Sequence, residues 1–253
     1  MRLVHALLIA LSTYSKVPVP QAEWTEENKA YSMAFFPLVG LMCGGALALW
    51  LRLCDALLPG GVLRGAIGAA IPLLVTGGIH MDGFMDTLDA LASWQPKERR
   101  LEILKDSHTG AFAVMGCCAY LLAMAGILSE ADAGLWAGLC ACFALSRALS
   151  ALALLHLPKA KATGMLAGFA ASAHVRAVTA ACAAWAALAV SVLSALFGVA
   201  GALSAASAFA CLMHYRRMSL RYFGGVTGDL AGWFLQTAEL VSLSVLVIGG
   251  KLL

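Results

Sequence analysis

The stretch "VRAVTAACAAWAALAVSVLSALFGVAGALSAASAFACLM", Val175 to Met213, carries one charged residue, Arg176. As a single straight helix it would run about 58 Å, against a bilayer core of about 30 Å. Two antiparallel helices turning near Gly198 and Gly201 resolve the excess. A hairpin this apolar predicts a chain built into a membrane. The composition agrees: of 253 residues, 61% are hydrophobic and 12% charged, and the mean hydropathy is +0.85. Soluble domains carry roughly 25% charged residues. So few charges could not cover a water-soluble fold.

Working outward, further apolar runs long enough to cross occur at roughly 35–57, 62–79, 111–128, 133–157 and 229–250, which with 175–197 and 199–213 make seven. The expectation is an all-α polytopic bundle of about seven transmembrane helices. Residues 1–253 read as a single domain, since no linker or low-complexity tail divides them. The start, "MRLVHALLIALSTYSKVPVP", is followed by polar "QAEWTEENK" and by no small-residue cleavage site. Residues 1–34 therefore read as an uncleaved interfacial segment.

Basic residues set the orientation. Loops 1–34, 80–110, 158–176 and 214–228 hold thirteen Lys and Arg, while the opposite loops and the tail hold Lys251, with Arg52 and Arg64 at span edges. Under the positive-inside rule the N-terminus and the loop 80–110 face the cytoplasm. The net charge of +3 and the lack of a basic patch interleaved with aromatics speak against nucleic acid as a partner. The eight cysteines lie in or beside apolar runs without zinc spacing, so they read as small buried hydrophobes.

The chemistry concentrates in "TGGIHMDGFMDTLDALASW", Thr76 to Trp94. On a helix Asp82, Asp86 and Asp89 fall within about 60° of one another. Such a stripe is either the solvated face of a loop helix or a cation site, because three carboxylates repel unless a cation lies among them. Asp-Gly and Thr-Gly-Gly permit close backbone approach, and the basic "KERR" stands apart. Oxygen-only ligation suits Mg²⁺. His80 is a general base, a metal ligand or an interfacial histidine. Asp106, in "KDSHTG", either belongs to the cap of the next helix or completes a four-carboxylate site. Arg147 lies mid-span, where an ionisable group marks a site or a partnered charge. It either pairs with Glu239 in the last span or lines an anion cavity. The loop "GGVTGD", with Gly225, Thr227 and Asp229, has the composition of a phosphate nest but lacks the Walker pattern. Small residues throughout the spans permit close packing within a chain or between copies, so a homo-oligomer is compatible with the sequence.

In chain order, "SKVPVP", "FFPLVGLMCGG" (35–45), "TGGIHMDGFMDTLDAL" (76–91), "LEILKDSHTGAF" (101–112), "LSRA" (145–148) and "RYFGGVTGDLAG" (221–232) resemble the cobalamin synthase family, the adenosylcobinamide-GDP ribazoletransferases. The resemblance implies a multi-pass inner-membrane enzyme that requires Mg²⁺. It would join adenosylcobinamide-GDP to α-ribazole or α-ribazole 5′-phosphate and release GMP. It assigns catalysis to His80, Asp82 and Asp86, and Mg²⁺ to Asp82, Asp86, Asp89 and Asp106. Substrate contacts would come from Arg147, Gly225, Thr227, Asp229 and Glu239. Two departures stand out: Lys16 replaces an expected Arg, and the stretch around Gly164 fits the family's Gly-Leu-Gly pattern loosely.

Two other readings compete. CDP-alcohol phosphotransferases also use aspartates at a membrane face, but their pattern D-G-x2-A-R carries an Ala-Arg that is missing after Asp82-Gly83, where Met85 and Asp86 follow. A cation-coupled transporter would need acids near mid-bilayer and related half-repeats. The acids here sit in a loop, and no internal repeat is evident.

Overall fold

The computed structural model describes residues 2–57, 61–160 and 165–252. Lys161, one of the thirteen basic loop residues, and Gly164 lie outside them. Among the described residues there is no strand, and one isolated backbone bridge joins Lys159 to Val226.

The helices are α1 (Arg2–Tyr14), α2 (Glu26–Lys29), α3 (Phe36–Leu57), α4 (Gly61–Thr76), α5 (Ile79–Ala92), α6 (Lys97–Ile103), α7 (Ala111–Ser129), α8 (Trp136–His156), α9 (Met165–Ser172), α10 (Val175–Tyr222) and α11 (Gly228–Leu252). Five helical stretches are long and apolar enough to cross a membrane, and α4, from which α5 is bent away by 101°, makes a sixth candidate. The 48 residues of α10 contain one more turn, at Gly198, where φ is 54° and ψ −131°. Beyond it, a Cβ on Gly201 would overlap the carbonyl oxygen of Leu193. Eight residues along a straight helix would separate those groups by about 12 Å. The chain therefore doubles back at Gly198, and the candidate crossings among the described residues, with α4 counted as one and α5 turned out of it, number seven.

The connecting loops sort onto two faces. On one, Lys16 N donates to Val75 O at 2.8 Å, His174 N to Ala30 O at 2.9 Å, and Val226 N to Pro158 O at 2.8 Å. On the other, Arg64 pairs with Asp55, Lys251 pairs with Glu130, and Gly138 meets Phe197 and Leu246. Twelve of the thirteen basic loop residues, all but Lys161, lie among the described residues, and their segments share the first face.

Helix α8 runs through the middle, with 83% of its apolar window buried, whereas α7 buries 22% of its own. Small residues make that centre possible. A Cβ on Gly44 would come within 2.6 Å of Cys140 Cα, and one on Gly40 would overlap Phe143 O. The Gly-x-x-x-Gly spacing thus brings the α3 backbone onto α8. Leucines such as Leu49, Leu74, Leu122 and Leu188 point outward, as a helix surface in contact with lipid requires.

Two outcomes differ from the sequence expectation. The second arm of α10 continues through "HYRRMSLRY" to Tyr222. Tyr215 holds it there, buried and stacked on Phe234 at 5.1 Å between ring centroids. The acidic stretch is a packed helix, with α5 lodged between α7 and α11. Helix α1, of 13 residues, is too short to span; it buries Ala6, Ile9, Ala10 and Tyr14 and exposes Leu3 and Val4.

Candidate active site

The sharp turn between α4 and α5 comes from two successive glycines, Gly77 at φ 67° and Gly78 at φ 79°. Left-handed backbone of this kind admits glycine with least strain. Lys16 seals the turn: its backbone N–H caps α4 at Val75 O, and its aliphatic stem lies over Gly77. Gly83 then lets α11 dock on α5. A Cβ at Gly83 would lie 2.7 Å from Asp229 Cα, and one at Gly232 would lie 2.7 Å from His80 O. Asp229 is thereby brought beside a stripe that begins 147 positions earlier in the chain, at Asp82.

The carboxylates feel one another. Burial pushes the Asp86 carboxyl up to about 6, and the charges of Asp82, Asp229 and Asp89 push it the same way. Asp82 is exposed, and Asp86 is half-buried. Asp89 is engaged with the neighbouring helix: its oxygens accept from Gly110 N at 2.6 Å and Ala113 N at 2.9 Å. It caps the N-terminus of α7, satisfying amides that have no partner inside the helix. Asp106 is exposed and accepts from His108 N at 3.0 Å, and the His108 amide and ring hold its carboxyl below the usual range.

Among the described residues, no three His, Cys, Asp or Glu side chains converge as a ready metal cage. Magnesium does not require one. It commonly takes one or two carboxylates and completes its shell with water and phosphate oxygens. Asp82 and Asp86, with Asp229 beside them, supply hard oxygen donors whose mutual repulsion a divalent ion would relieve. The donor set fits Mg²⁺.

The other candidates are placed as follows. His80 is 5% exposed, its ring 6.1 Å from Tyr14 and 5.7 Å from Phe36, and its Nε2 has no hydrogen-bond partner among the described residues. Thr227 caps α11 by accepting from Leu230 N at 3.2 Å, and its hydroxyl lies 3.5 Å from Asp229 Oδ2. In the glycine loop, Gly225 N donates to Ser219 O at 3.2 Å and Val226 N to Pro158 O. Those two amides are already committed within the protein. Arg147 and Glu239 form an ion pair, each side chain 1% exposed. Ser146 Oγ donates to Glu239 at 3.1 Å, and the guanidinium carbon lies 5.1 Å from the Phe143 ring centroid.

A family model described as cobalamin-5-phosphate synthase matches residues 6–247. The chain belongs to this family. Named relatives extend the likeness. A protein of Lachnoclostridium phytofermentans named adenosylcobinamide-GDP ribazoletransferase is 39% identical across 100% of this chain and 97% of its own. One of the same name from Desulfitobacterium hafniense is 35% identical across 95% of each. A third, from Clostridium botulinum, is 41% identical over 45% of each chain. No solved structure matches.

Against the family frame, the sequence reading overlooked two things. It did not group Asp229 with the acidic stripe, because contact across α5 and α11 leaves no local spacing to read. It also set aside "KERR", although in "KERRLE" Arg99 finds Glu102 three residues on while Arg100 has no acid at that distance or one further.

Proposed function

We propose that the chain is a Mg²⁺-dependent membrane phosphotransferase. It transfers the cobinamide-phosphate moiety of adenosylcobinamide-GDP to α-ribazole or α-ribazole 5′-phosphate and releases GMP. The observation that carries this reading is the crowding of Asp82, Asp86 and Asp229 where α5 docks on α11, in a chain of this family. The bias of Lys and Arg toward the loops of this side supports a cytoplasmic face, and a multi-pass enzyme of the inner membrane is the setting we infer.

Asp82 and Asp86 would hold the ion, with Asp229 adding to the field. Bound there, Mg²⁺ supplies charge neutralisation for a diphosphate. Phosphoryl transfer depends mainly on positioning and electrostatics, and the rigid α5–α11 contact provides the first. The acceptor hydroxyl attacks the phosphorus that carries the cobinamide arm. An oxygen–phosphorus bond forms, the phosphoanhydride bond breaks, and GMP departs with the bonding pair. The hydroxyl proton passes to a carboxylate of the stripe. His80, enclosed by Tyr14 and Phe36, is a positioning residue that seats α5 against α1 and α3.

The test uses membranes carrying the full chain, incubated with adenosylcobinamide-GDP and α-ribazole, with and without EDTA. Cobamide formation that stops in EDTA is expected, as is loss of GMP release in Asp82→Ala and Asp86→Ala proteins that still insert. Wild-type turnover by both variants at saturating Mg²⁺ refutes the assignment.

A further inference from the structure

Arg100 is a buried basic residue. It sits on α6, is 8% exposed, and its Nε has no hydrogen-bond partner among the described residues. No carboxylate pairs with it there either. Its guanidinium carbon lies 4.8 Å from the centroid of Tyr222, and that of Arg221 lies 5.2 Å from the same centroid. A buried charge without a counter-charge is strongly destabilising, and a ring face compensates for part of that loss. A lysine or arginine that serves to orient a membrane protein has no reason to be buried. Arg100 is.

The second cation is Lys97, one turn earlier on α6. Its ammonium rests against Gly224, where a Cβ would overlap it. Gly224 has φ 74°, so the turn is open to close approach. Asp229 comes five positions after Gly224, at most about 18 Å of chain. Two cations thus flank one end of the loop whose other end joins the acidic stripe.

We propose that Arg100 and Lys97 form an oxyanion subsite against the Tyr222–Gly225 turn, which takes a phosphoryl group of a substrate. Arginine suits this because its planar fork meets phosphate oxygens in pairs. The subsite deepens the proposed function, on which the identity of the substrate rests. The binding of a phosphate anion does not depend on it.

The experiment uses the full chain in zwitterionic lipid nanodiscs containing EDTA, with inorganic pyrophosphate as probe and thermal stabilisation as readout. Arg100→Gln and Lys97→Gln should each raise the half-saturating concentration roughly 10- to 100-fold, the worth of a charge-assisted hydrogen bond. Arg100→Lys should fall between them and wild type. Should Arg100→Gln fail to fold, the exposed Lys97 decides the matter alone. Equal half-saturation in wild type and the folded variants overturns the proposal, as does a wild-type protein that binds no pyrophosphate. Because no transfer occurs in EDTA, either result stands apart from the fate of the proposed reaction. Kinetics then identify the source of the anion. A raised KM for the GDP-bearing donor assigns its diphosphate. A raised KM for the phosphorylated acceptor, with the unphosphorylated acceptor unchanged, assigns the acceptor's phosphate. If neither constant moves, the site is no substrate subsite.

Discussion

Asp86 carries the clearest chemical mark of the site, because burial and three neighbouring carboxylates oppose its ionisation. Its folded pKa of about 6 exceeds that of an exposed carboxyl. Between the two values the folded chain binds more protons than the unfolded one. Stability therefore falls as pH rises through that window. In EDTA the protein should melt at a higher temperature at pH 5 than at pH 7.5 on this account. Asp86→Asn should flatten the difference, and Mg²⁺ should restore stability at pH 7.5. Asp89 behaves otherwise, since both its oxygens cap α7. Asp89→Ala should destabilise by about 1 kcal/mol or more, read as a lowered denaturation midpoint, with Asp89→Asn milder. The stripe of three aspartates was legible in the sequence because helical spacing aligns them. What each one does was not, since the α7 amides and Asp229 arrive through tertiary contacts.

Among the elements, α3 and α8 depend on backbone contact at Gly40 and Gly44. Gly44→Leu would drive a side chain into Cys140 Cα. Overpacking of this kind destabilises by about 1–3 kcal/mol or more, so the yield of folded, detergent-extracted protein should drop sharply while Gly45→Leu, which meets open space, is tolerated. The helix inventory was legible because a span has a required length: a largely apolar stretch of 39 residues cannot cross once. The course of α5 was not. Thr76-Gly77-Gly78 marks an end to α4, but the 101° bend follows from two left-handed residues together with the docking of α11. Likewise the polar "HYRRMSLRY" concealed its helix, which Tyr215 anchors by stacking on Phe234.

At the scale of the whole molecule, the pair formed by Arg147 and Glu239 joins α8 to α11 in the buried centre of the bundle. Removing either partner leaves the other charged and buried, which destabilises by roughly 3–5 kcal/mol. Arg147→Met and Glu239→Leu should each depress folded yield strongly. The double variant should recover most of it, and size-exclusion profiles of the three proteins would show this. Both residues were visible in the sequence as ionisable groups within spans, and their pairing was one of two open readings. The pair also shapes how the protein is made. Arg147 precedes its partner by 92 residues, which at ribosomal speeds of 5–20 residues per second is a delay of roughly 5 to 18 s. Throughout that interval the fourth crossing holds a guanidinium with no counter-ion yet synthesised. Nascent chains halted before the seventh crossing is complete should therefore be held by the insertion machinery or degraded, and release into lipid should await the last helix.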